Sequence, residues 1–131
     1  MPHLTLEYSA NIRPSANMPA LCARLADCLA AQRDGGKVIY ALGAIRVRAL
    51  SAEEFHIADG RQDAAFVHAI LKIGAGRGEA VKQATGDALF AVMKDHFASL
   101  YASMGLALSL EISEFSEAGT WKHNNLHARL R

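Results

Sequence analysis

The feature that most constrains the fold of this chain is an apolar pattern written twice. Displaced by 63 positions, Leu4, Leu6 and Tyr8 fall on Val67, Ala69 and Leu71. The same displacement puts Leu25 and Leu29 on Ala88 and Val92, and Ile45 and Val47 on Leu108 and Leu110. Identity between the copies is poor, so what repeats is phase: alternation in the strand-like segments and a helical stripe between them. Each copy reads strand, helix, strand, the order of a βαβ unit, whose parallel strands are joined by a right-handed crossover. Two such units are expected to build an α/β fold (α+β in two layers), a four-stranded mixed sheet with two helices on one face. The other face is left open, and a partner subunit is the simplest cover for it.

The first unit covers about 2–50, with a strand over 3–9, a helix over 18–32 and a strand over 43–50. Met18, Leu21, Cys22, Leu25, Cys28 and Leu29 form the helix stripe; Asn17 and Pro19 mark its start, and Gln32 to Gly36 a stop and a turn. Residues 51–63 are polar, contain Asp59-Gly60, and read as a loop or short hairpin. The second unit covers about 65–114: a strand over 65–73 broken by Gly74-Ala75-Gly76-Arg77-Gly78, a helix over 79–103, and a strand over 106–113. Val81, Ala84, Ala88, Val92 and His96 are expected along one side of that helix, which Gly105 ends. An arm over 115–131 completes a single domain, its end from Trp121 to Arg131 either a short helix or strand-like.

Hydrophobic residues make up 51% of the 131, and mean hydropathy is +0.07, which favours an oligomer over an isolated small domain. A net charge of +1 gives no basic footprint for nucleic acid or an anionic membrane. No apolar run approaches the roughly 18 residues that span a bilayer, and the start lacks the regions of a signal peptide, so a cytoplasmic location is expected. Cys22 and Cys28 lie six apart on one expected helix and do not form a disulfide framework. Six histidines are scattered without zinc-ligand spacing; His68, His123 and His127 read as packing or interface residues. Gly74 to Gly78 falls short of a dinucleotide fingerprint, because position 79 is Glu where a third glycine belongs.

The repeat is most informative where it fails. At the same displacement Pro2 falls on Ala65, Arg46 on Ser109 and Arg48 on Glu111. A proline at position 2, once Met1 is trimmed, presents a secondary amine at the tip of a strand. An α-amino group ordinarily titrates at roughly 7.7–8.0, proline's nitrogen is intrinsically more basic, and burial or adjacent cations lower such a value. Arg46 and Arg48 alternate with apolar residues and so project from the face opposite the helices, where paired guanidinium groups suit planar carboxylates; an ordinary charged strand face has the same pattern.

Across nearly its whole length the chain resembles the 5-carboxymethyl-2-hydroxymuconate Δ-isomerases of the tautomerase superfamily. The resemblance is carried by Pro2-His3, Glu7, Ser9, Asn11-Ile12-Arg13, Gly43-Ala44-Ile45-Arg46 with Arg48, and Ala58-Asp59-Gly60. It continues through Ala65-Phe66-Val67-His68, Leu71-Lys72-Ile73-Gly74-Ala75-Gly76-Arg77, Leu106-Ala107-Leu108-Ser109, and Asn124-Asn125 before His127. It implies a homotrimeric isomerase of aromatic-acid breakdown that performs keto–enol tautomerisation, a 1,3-proton shift, on an unsaturated polycarboxylate enol. Pro2 would be the general base. Arg46 and Arg77 would bind carboxylates and steady the dienolate, with Arg48 and Arg13 as further candidates. No metal or organic cofactor is implied, since one amine serves both proton transfers. Two alternatives share the pattern: another tautomerase chemistry, of the phenylpyruvate or haloacid dehalogenase/hydratase type, or a non-catalytic trimeric module if Met1 is retained.

Overall fold

A computed structural model describes residues 1–130. In chain order the elements are β1 (His3–Ser9), α1 (Arg13–Ala16), α2 (Met18–Ala30), β2 (Arg33–Asp34), β3 (Lys37–Val38), β4 (Arg46–Ala52), β5 (Ala64–Gly74), α3 (Glu79–His96), α4 (Ala98–Ser103), β6 (Gly105–Phe115) and α5 (Leu126–Arg129). The large sheet has the order β4-β1-β5-β6. β1 runs parallel to β4 and β5 parallel to β6, each pair being the two strands of one βαβ unit. The units meet where β1 lies antiparallel to β5, with Leu6 beside Ala69. This is the mixed four-stranded sheet that the repeated pattern requires.

One core holds both units together. Leu4 and Leu6 of β1 and Val67, Ala69, Leu71 and Ile73 of β5 are buried against Leu21, Leu25 and Leu29 of α2 and Leu89 and Met93 of α3. Burying a side chain of this size stabilises the fold by about 1.5–3 kcal/mol. Inside this layer the Tyr40 hydroxyl bonds that of Thr85 at 3.0 Å, tying the chain before β4 to α3. At the start of α2, Asn17 adopts φ 45, a left-handed conformation asparagine tolerates, which separates α1 from α2. Pro19 then sits in the first turn of α2, where a missing N–H costs nothing. Between β2 and β3, Gly35 and Gly36 both have positive φ (57 and 84), as a two-residue hairpin turn requires.

The structure corrects the sequence reading in four places. α2 ends at Ala30 and β4 starts only at Arg46, preceded by a turn over Leu42–Ala44. The expected helix over 79–103 is two helices, interrupted at Phe97, whose φ and ψ are −98 and 12. The buried stripe of α3 is Thr85, Leu89 and Met93, rotated from the expected Val81, Ala84, Ala88, Val92 and His96, which are half-buried or exposed. Finally, the repeat holds in phase but not in register. Leu4 pairs with Val47 and Val67 with Leu108, so the second strands of the two units correspond at an offset of 61 and not 63. A slip of two residues preserves the inward face of a strand, so alternation alone does not reveal it. Arg46 therefore matches Ala107, and Arg48 matches Ser109. Among the described residues no helix is long and apolar enough to cross a membrane.

Candidate active site

Parallel pairing sets the site. Pro2 is buried just ahead of β1, and its carbonyl accepts the backbone N–H of Arg46 at 3.0 Å. The start of β1 and the start of β4 thus lie side by side, with His3 opposite Arg46. The Arg46 guanidinium turns back and donates from one nitrogen to the carbonyls of Gly43 (2.9 Å) and Ile45 (3.1 Å). From the neighbouring strand β5, the chain turns at Gly76, φ 113, to present Arg77. That guanidinium donates to the Gly74 carbonyl (3.2 Å) and stands 5.0 Å from the centre of the Tyr40 ring, a cation–π arrangement. Among the described residues neither Arg46 nor Arg77 has a carboxylate partner.

These charges converge on the N-terminal nitrogen. The Met1 amine is held below its ordinary pKa, first by burial, then by Lys122 and Arg77, with a smaller push from Arg46; Glu117 acts in the opposite sense. His3 is likewise lowered, by burial and then by Arg48, Arg46 and the amine. It accepts a hydrogen bond on Nδ1 from Arg48 at 3.2 Å, which requires that nitrogen to be unprotonated. Arg48 therefore lies two residues along the open face, engaged with His3. Arg13 is committed elsewhere: it pairs with Glu53 and Ser51.

The C-terminal arm also reaches the site, and the sequence reading gave its charged residues no role. Glu117 Oε1 lies 3.3 Å from where a Cβ on Gly74 would stand. Lys122 Nζ is 3.6 Å from the other oxygen of Glu117. Asn124 donates to the Gly43 carbonyl at 3.4 Å and accepts the N–H of Leu126 at 2.7 Å, setting up α5. A Cβ on Gly43 would meet the backbone nitrogen of His127 at 2.9 Å and its Cα at 3.0 Å, so only glycine permits this approach. The Asn124-Asn125-x-His127 motif was the available signal; its tail is the short helix α5, with His127 seated on Gly43. Tyr40 carried no signal, because a lone aromatic in a linker has no periodicity.

His68 belongs to a separate cluster on the open face, 2.6 Å from the Ser109 hydroxyl and 3.3 Å from Glu111. Cys22 and Cys28 are free thiols, raised above their usual pKa by burial. Among the described residues no three His, Cys, Asp or Glu side chains are grouped as metal ligands would be.

With this geometry in view, comparison with known proteins is specific. The profile of the family described as 5-carboxymethyl-2-hydroxymuconate isomerase matches residues 2–130. An Escherichia coli protein named 5-carboxymethyl-2-hydroxymuconate Delta-isomerase is 44% identical over 128 residues, covering 98% of each chain. The crystal structure of a 5-carboxymethyl-2-hydroxymuconate isomerase from Deinococcus radiodurans R1 is 55% identical, with a TM-score of 0.91 over 99% of this chain and 94% of that one. A crystal structure of a 5-carboxymethyl-2-hydroxymuconate delta-isomerase superposes with a TM-score of 0.92 at 32% identity, over 100% of this chain and 93% of the other.

Proposed function

From the premise that the chain belongs to the 5-carboxymethyl-2-hydroxymuconate isomerase family, we propose that it isomerises 5-carboxymethyl-2-hydroxymuconate or a close polycarboxylate enol, with the Pro2 nitrogen as base. Removal of Met1 frees that nitrogen. Unprotonated, it takes the enol hydroxyl proton: the O–H bond breaks, an N–H bond forms, and negative charge spreads over the dienolate. Arg46 and Arg77 bind carboxylate and hold that charge, where fixed cations lower the barrier most. The resulting ammonium returns the proton to carbon at the far end of the conjugated system, a 1,5 shift overall and not the 1,3 shift expected above, giving the ketone and restoring the base. No proton is gained or lost overall.

The observation that supports this reading most is the gathering of Arg46, Arg77 and Lys122 around the partly buried Met1 amine, one residue ahead of Pro2, whose pKa they lower. Such surroundings favour the unprotonated form of an amine and attract an anionic substrate. The same reading takes the working form to be a homotrimer, in which the open sheet face carrying His3, Arg48 and His68 is covered by copies of the chain.

The test is the Pro2→Ala protein assayed for ketonisation of the tricarboxylate enol, with intact mass establishing that Met1 is absent from both proteins. A general base typically contributes about 10²–10⁴-fold, so kcat/KM is expected to fall at least a hundredfold. Turnover at the wild-type rate would exclude this role for Pro2.

A further inference from the structure

The C-terminal arm is fastened at both ends of the site. At one end Asn124 and His127 are seated on Gly43, whose carbonyl also receives the Arg46 guanidinium. At the other, Glu117 packs on Gly74, whose carbonyl receives Arg77. The segment between them is extended at Thr120 (φ −128, ψ 130), which also bonds the Ser116 carbonyl at 2.6 Å. Along it Trp121 faces solvent at 88% exposure, whereas the Lys122 side chain is 37% exposed. Among the described residues the acid paired with Lys122 is Glu117, 3.6 Å away, longer than the roughly 2.7–2.9 Å of a tight charged hydrogen bond. Lys122 is therefore a cation held in place by its backbone and only loosely neutralised.

Counting charge makes the point. The two site arginines offer two cations, and the substrate class proposed above carries three carboxylates. We propose that Lys122 is a substrate-binding residue, its ammonium taking the third carboxylate at the mouth of the site, and that docking of the arm on Gly43 and Gly74 holds it there. This rests on the isomerase reading of the same site. It is supported by the electrostatics of the Met1 amine beside Pro2, on which Lys122 acts more strongly than either arginine. Glu117 then serves as a placeholder, shielding the ammonium until a substrate carboxylate displaces it.

The experiment compares steady-state kinetics of wild type, Lys122→Gln and Lys122→Arg on two enols, the tricarboxylate and a dicarboxylate lacking the carboxymethyl arm. Assays run at a pH where the amine is unprotonated in all three proteins, so that only binding is read. Losing one charged hydrogen bond of the usual strength corresponds to about a tenfold rise in KM. That rise is expected for Lys122→Gln on the tricarboxylate alone, with kcat and the dicarboxylate KM within twofold of wild type and with Lys122→Arg restoring most of the binding. Equal effects on both substrates, or none on either, would overturn the proposal. Because wild-type turnover and its loss in Pro2→Ala are measured separately, a failure here is distinguishable from a failure of the isomerase reading.

Discussion

The two βαβ units share an interior and diverge on their polar positions. Each central strand is followed by an arginine, Arg13 after β1 and Arg77 after β5, yet the two stand in opposite surroundings. Arg13 is neutralised by Glu53, while Arg77 rests on a carbonyl and an aromatic ring with no acid partner among the described residues. On the open face, His3 of the first unit meets Arg48, whereas His68 of the second meets Ser109 and Glu111. The lesson is that a duplicated core leaves the outward residues free to specialise. Whether a cation serves chemistry is decided by what sits beside it, not by its place in the repeat.

Three measurements test this comparison, in descending size of effect. The interiors are equivalent, so Leu25→Ala and Leu89→Ala, both fully buried, should each cost about 2–5 kcal/mol. Denaturant unfolding should show a single transition in both; two transitions would mean that the units are separate cores.

Next, the two arginines should part company. Removing one preorganised charge at a developing anion costs about 10²–10³-fold in rate, and Arg77→Ala should show a loss of that order. Arg13→Ala should stay within twofold. The pH profile adds a signature. Arg77 depresses the pKa of the Met1 amine; if it acts likewise on the proposed Pro2 base, losing it lets the protonated, inactive form persist to higher pH. The acid limb of kcat/KM should move upward in Arg77→Ala and stay in place in Arg13→Ala. Equal behaviour of the two variants would dissolve the distinction drawn here.

The smallest effect belongs to the exposed bridge between units, Arg24 to Asp95 at 2.9 Å, with side chains 44% and 73% exposed. Asp95→Asn should change stability by less than about 1 kcal/mol, less still at high salt. A larger loss would show that the helices are locked at their surface as well as through the core.

The two βαβ units and the two-layer fold were legible because burial of one sheet face imposes alternation that no surface mutation can hide. Pro2 and Arg46 stood out as candidates because they break the repeat, and the structure sets the starts of their strands side by side. The α3 stripe was misread because Ala84, Ala88 and Val92 follow helical spacing as well as Thr85, Leu89 and Met93 do, and a threonine in a core announces itself only through its partner, here Tyr40. The two-residue slip between β4 and β6 was invisible because their crossovers differ in length while the inward face stays the same. Lys122 and Glu117 were missed because an extended arm has no period; its place follows from docking on glycines far away in the chain.

Gly43 has a consequence of its own. Because its bare α-carbon touches the backbone of His127 while its carbonyl grips both Asn124 and Arg46, the tail and the guanidinium share one bearing. Any loosening of residues 124–130 would be transmitted to the aim of Arg46, which under the proposed mechanism gives a peripheral segment mechanical leverage over the proton transfer.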